Sequence, residues 1–179
     1  MKKLELKHIV GYLPYGLKIK EKEGVFTQTI LGLYSNGAVI YNSWNAPENH
    51  TLNDVIPVLR PMKDIYKCIT IKGYEEGKGS IPILDIAKKY RNVNWELKDR
   101  EITYKTSKAN YEVISKFKIL KDNTFFIEDS YYIREKCKHT KKIPLNILEV
   151  IDLLYRWKFD FHYDLIGWKL AVDINTLNK

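Results

Sequence analysis

The sequence predicts a single α+β domain over residues 1–179, an antiparallel sheet with a few helices and a long C-terminal amphipathic helix. Three observations lead there. Asn36-Gly37 sits between two runs rich in β-branched and aromatic residues, the strongest short-range signal for a hairpin. Helical periodicity is confined to short stretches and is clearest from Ile147 to Trp157. The chain has 179 residues, 45% hydrophobic and 29% charged, ordinary values for a globular protein. A domain of this length buries about 70% of the surface its unfolded chain exposes, so its core needs no disulfide or metal staple.

The elements follow in order. Leu6, Ile9, Val10 and Leu13 recur at helical spacing until Pro14, which predicts a short opening helix. Residues 24–34 and 38–41 read as the strands of the hairpin, with a type I′ turn at Asn36-Gly37 because that turn needs positive φ at both central residues. Residues 42–53 are polar and read as a surface loop. Pro57 and Pro61 lie four apart, so 54–62 cannot be one regular helix, and a turn leading into an extended segment is expected. Residues 68–72 read as a strand, 74–80 as a Gly-rich turn, and 82–91 as a helix that Ser80 can cap. Strands are expected at 101–105, 115–120 and 124–128, with a turn at Asp122-Asn123. Tyr111, Ile114 and Phe117 also fit a helical face, and the alternation of Lys116 and Lys118 with Phe117 and Ile119 favours the strand. Pro144 is placed for the first turn of the last helix. There Ile147, Val150, Ile151, Leu154 and Trp157 share one face and Asp152 and Arg156 form an i, i+4 pair.

Charge narrows the function classes. Lys plus Arg is 30 against 22 for Asp plus Glu, a formal charge of +8. Such a balance suits nucleic acid or an acidic partner. The excess is spread evenly, each half of the chain carrying +4, and only five of the basic residues are Arg. Arg supplies the bidentate geometry that reads guanine edges, which Lys cannot copy. The densest basic stretch is Arg134, Lys136, Lys138, Lys141 and Lys142, preceded by Tyr131 and Tyr132. Cations attract a phosphate backbone and neighbouring rings can stack on bases, so these seven residues are the candidate nucleic-acid or partner site. The competing reading is a solvated connection between a strand and a helix.

Signatures of catalysis are missing. Gly73-Tyr-Glu-Glu-Gly77-Lys78-Gly79-Ser80 departs from the phosphate-loop pattern, and no HExxH, GxSxG or dinucleotide fingerprint occurs. Asp160, His162 and Asp164 would share one side of a strand and offer O–N–O ligation to a divalent metal, but the segment follows a helix, where positions i and i+2 diverge. The residues therefore predict no enzyme, no cofactor and no metal site. Cys68 and Cys137 fit no metal or redox spacing and read as two reduced, mostly packed thiols. The alternating charges of residues 1–13 lack a signal peptide's apolar core, and no run approaches a membrane span, so a cytoplasmic protein without membrane contact is expected.

Three strings carry a resemblance. They are Tyr12-Leu13-Pro14-Tyr15-Gly16-Leu17-Lys18, Ile56-Pro57-Val58-Leu59-Arg60-Pro61, and the end segment 153–177 with Trp157-Lys158-Phe159-Asp160 and Leu170-Ala171-Val172-Asp173-Ile174-Asn175-Thr176-Leu177. Together they resemble a family of small phage and prophage proteins of Bacteroidota. The resemblance implies a phage gene and brings no chemistry with it. The function it suggests is a non-enzymatic protein that binds and inhibits a host-defence component, a CRISPR effector or its guide RNA, through the basic, Tyr-rich surface. The alternatives are a small metal-dependent nuclease or hydrolase using Asp160–Asp164, and a structural or replication accessory protein of the phage.

Overall fold

The computed structural model describes residues 3–24, 27–34, 38–41, 50–69, 79–120 and 124–177. It is a mixed α+β structure dominated by two mostly antiparallel sheets. The chain groups into two compact units, Met1–Asp64 with Leu154–Lys179, and Ile65–Leu153.

The first unit opens with helix α1 (Leu6–Ile9), which tightens into a 3-10 turn over Val10–Tyr15. Pro14 lies inside that turn. The stop comes at Gly16, whose φ of 66° is open to glycine without a Cβ penalty. The change of helical period takes Leu6 and Val10 off the inner side: Ile9 is fully buried, whereas Leu6 and Val10 are exposed. The sheet follows the order β10 (Phe159–Asp160), β4 (Val55–Pro61), β1 (Lys18–Glu21), β2 (Thr27–Leu33), β3 (Val39–Tyr41), and β11 (Val172–Asp173) also pairs with β4. Strands β2 and β3 pair antiparallel, as the β-rich runs predict, while Asn36-Gly37 falls outside the described residues. Both short C-terminal strands run parallel to β4. Ile9, Tyr12, Leu17, Ile19, Ile30, Leu59 and Leu165 pack together as the core. Tyr12 donates its hydroxyl proton to the Phe159 carbonyl at 2.7 Å and meets the Tyr155 ring edge-on at 4.7 Å. Gly11 has the same ring directly above it, where any Cβ would overlap.

The second unit holds helix α2 (Pro82–Tyr90) and a five-stranded meander: β5 (Glu96–Lys98), β6 (Glu101–Lys108), β7 (Tyr111–Ile119), β8 (Phe125–Ile133) and β9 (Lys136–Pro144). Residues 111–119 are strand, so the alternation outweighed the helical spacing of Tyr111, Ile114 and Phe117. One side of the sheet is apolar, with Ile102, Val113, Phe117, Phe125 and Ile127 buried. Trp95 meets Phe117 and Tyr104 edge-on at about 6 Å on that side. The other side is solvated and carries charge pairs, Lys118 to Glu128 at 2.6 Å and Lys116 to Glu101 at 3.5 Å.

Several expectations are corrected. The last helix, α3, spans only Ile147–Arg156, ten residues, and turns, short strands and a 3-10 turn follow it, so no long C-terminal helix closes the fold. Pro144 is the last residue of β9; the start of α3 is held by Asn146, whose Oδ1 accepts from the Leu148 N–H at 3.1 Å. Leu154 and Val150 are buried as expected, whereas Ile147 is half exposed. Ser80 does not cap α2: the N-cap is Ile81, and the Ser80 hydroxyl instead donates to the Asp85 carboxylate. Both cysteines are free, and both are exposed rather than packed. Residues 70–78, which hold most of the expected strand and Gly-rich turn, and Asp122-Asn123 lie outside the described residues.

Candidate nucleic-acid interface

The basic stretch is a strand. Residues 134–142, on one of the two readings a solvated connection, form the tip and most of β9, the outer edge of the meander. Polar residues alone carry no period-two signal, so the strand is invisible to hydrophobic patterning. Its register comes from β8, where Ile127 pairs with Ile143, Asp129 with Lys141 and Tyr131 with His139. The turn is the two-residue Arg134-Glu135, with φ of 48° and 63°. Those are the positive angles a type I′ turn demands, held here by residues that carry a steric penalty for them.

A strand alternates its side chains, and this divides the five cations. Lys142 pairs across the ladder with Glu128 on the solvated side, its ammonium 5.6 Å from the centre of the Phe126 ring. Lys141 pairs with Asp129 on the opposite side, the side that Arg91 closes. Each thus stands across from an acid, but Asp129 is ion-paired with Arg91 and Glu128 with Lys118, and both lysines are exposed. Arg134, Lys136 and Lys138 gather at the turn, Lys138 at a bulge where the register slips between Tyr131 and Tyr132. Among the described residues none of the five cations forms an ion pair, and all are exposed. Glu135 is the acid beside them.

The two tyrosines occupy different places. Tyr131 lies flat against His139, ring centres 4.2 Å apart and planes 10° apart, so one of its sides is already covered. Tyr132 pairs with Glu112 of β7 and with Cys137, and it lines a cleft of about 480 Å³ between the β6–β7 and β8–β9 turns. Lys108, Asn110 and Tyr111 line the same cleft. Lys108 stands 5.9 Å from the Tyr111 ring centre. Sequence reasoning missed these three because they lie far from the basic run along the chain, and only the meander brings the turns side by side.

The interface rests on a buried ionic clamp. Asp129 is 4% exposed and receives both ends of the Arg91 guanidinium, at 3.0 and 2.9 Å. The same guanidinium donates to the fully buried Ser115 hydroxyl at 2.6 Å. Burial pushes the Asp129 carboxyl up, but the Arg91 fork and Ser115 outweigh it and hold the group below the usual carboxylate value. This clamp ties the end of α2 to β7 and β8, from which the basic turn projects.

Asp160, His162 and Asp164 do not converge. Asp160 ends β10 buried, its Oδ2 accepting the Ile166 N–H at 2.7 Å, while His162 and Asp164 are exposed. Burial raises the Asp160 carboxyl above its ordinary value against the opposing backbone N–H groups. Among the described residues no group of three or more His, Cys, Asp or Glu side chains is placed to hold a metal ion. No helix among them is long and apolar enough to cross a membrane. Compared with protein-family models, curated proteins and solved structures, the chain matches none.

Proposed function

We propose that this is a non-enzymatic binding protein that engages single-stranded RNA phosphates through the β8–β9 turn, and that in a phage setting the RNA is the guide of a host-defence effector. The observation that supports this reading is the cluster of exposed cations at the β8–β9 turn, Arg134, Lys136 and Lys138, none of which forms an ion pair among the described residues. Exposed cations that release counterions on meeting phosphate supply most of the sequence-independent affinity for nucleic acid. A chain of +8 is a poor mimic of nucleic acid, since a mimic competes for a basic channel with negative charge. Contact with the RNA itself therefore fits better than occupation of a guide-binding channel. The hydrolase alternative draws no support from Asp160, whose carboxylate is engaged by a backbone N–H.

The test is a triple variant, Arg134→Asn with Lys136→Ser and Lys138→Ser. Asn tolerates the positive φ at 134, so the turn keeps its geometry. Anisotropy with a labelled single-stranded RNA across a salt series should show weaker binding, and a log–log slope shallower by about 0.7 for each phosphate no longer neutralised. Expression of the wild type should protect an infecting phage in a host armed with an RNA-guided system, and the variant should not. A folded variant equal to the wild type in slope and in protection would overturn the assignment.

A further inference from the structure

Resting on that reading, we infer that the cleft between the two turns is a base-specific pocket that takes one unstacked guanine of the bound strand. Its volume of about 480 Å³ leaves room for a single nucleotide. Tyr111 and Tyr132 line it, Tyr132 half-buried on the side of the sheet that Glu112 shares and Tyr111, 37% exposed, on the other, and an unstacked base gains its binding energy by stacking on such a ring. Lys108 and Arg134 stand among its lining residues, one from each turn, and are placed to receive the phosphates on either side of the base. Arg134 belongs equally to the basic turn, so the cleft continues the electrostatic path along β9.

Glu112 is the specificity group. It lines the cleft, and it pairs across the ladder with Tyr132, which puts both side chains on one side of the sheet. A carboxylate only accepts hydrogen bonds, with two oxygens in one plane. Guanine is the base whose Watson–Crick edge offers two adjacent donors, N1–H and the N2 amino group. Adenine and cytosine offer one amino group and uracil one imino N–H, each beside an acceptor that the carboxylate would repel. Glu135 of the β8–β9 turn also lines the cleft, and Glu112 is the acid that shares Tyr132's side of the sheet.

The experiment compares uridine nonamers carrying one central guanine, adenine or cytosine, titrated into the full chain by anisotropy at several salt concentrations. The guanine strand should bind about tenfold tighter, the lower part of the discrimination a bidentate contact gives. Glu112→Gln should abolish that preference and leave the salt slope as it was, because the phosphate contacts remain. Tyr132→Leu should weaken all three strands. Equal affinities for the three strands in the wild type, with a normal salt slope, would overturn the guanine pocket and leave the RNA reading standing. A preference that survives Glu112→Gln would overturn the role of Glu112. Binding to no strand at all would overturn the pocket and the RNA reading together.

Discussion

Truncating Arg91 while leaving Asp129 in place tests the clamp beneath the candidate interface. Arg91→Ala leaves a carboxylate that is 4% exposed without its guanidinium fork, with the fully buried Ser115 hydroxyl to hold its charge. Breaking a buried pair from one side costs about 3–5 kcal/mol. The Arg91 side chain is itself 29% exposed, so water can partly replace it, and the lower end, about 3 kcal/mol, applies. With a urea slope of about 2 kcal/mol per molar, the unfolding midpoint should fall by about 1.5 M. Trp95 is a built-in reporter: it is 6% exposed, and its indole N–H donates to the Arg91 carbonyl at 3.1 Å. The pH dependence gives a second readout. In the wild type the folded-state value of Asp129 is depressed, so its contribution is present above the unfolded carboxylate value of about 3.9 and is lost as pH falls through the lower folded value. In Arg91→Ala the same carboxyl is buried without its guanidinium and its value rises. Acid then relieves the variant, and the gap to the wild type should shrink between about pH 7 and pH 4. Replacing both partners, Arg91→Met with Asp129→Leu, should recover most of the stability. A cost under about 1 kcal/mol, or a gap constant across that pH range, would refute the reasoning.

Two more outcomes concern the first unit. Leu154→Ala, at a site 1% exposed, should cost about 2–5 kcal/mol in transfer energy and cavity, and an unchanged melting midpoint would show that the site is not core. At Asp160 the sign is opposite to Asp129: its folded-state value is raised, so its own contribution to stability is greatest at low pH and is lost as pH rises from about 3.9 through that higher value. Asp160→Asn keeps an oxygen for the Ile166 N–H and removes the charge. Its stability should be flatter than the wild type's from about pH 4 to 7 and no lower at pH 7, and a deficit above about 1 kcal/mol that emerges only at pH 7 would contradict this.

Local chemistry was enough for much of the architecture. The prolines at 57 and 61 exclude a helix, and the segment is β4; the apolar spacing of 82–91 and 147–157 marks α2 and α3; alternation at 115–120 marks β7. These signals are legible because burial on one side of an element imposes a period on its residues. Where no side is buried, the period vanishes. Strand β9, exposed along most of its length, was invisible in the residues, and β8 alone decides that it is a strand and not a loop. The composition also marked Arg134 to Lys142 as the place where positive charge concentrates, since charge is counted without knowing the fold. What stands across from each of those charges was a tertiary matter. Cross-strand pairing sets Lys141 against Asp129 and Lys142 against Glu128, and leaves Arg134, Lys136 and Lys138 at the turn. The Arg91 clamp, and the cleft that joins Lys108 and Tyr111 to Tyr132, depend in the same way on contacts between residues distant in the chain. Only the folding of the meander makes those residues neighbours, because loop closure brings turns together whatever their separation in sequence.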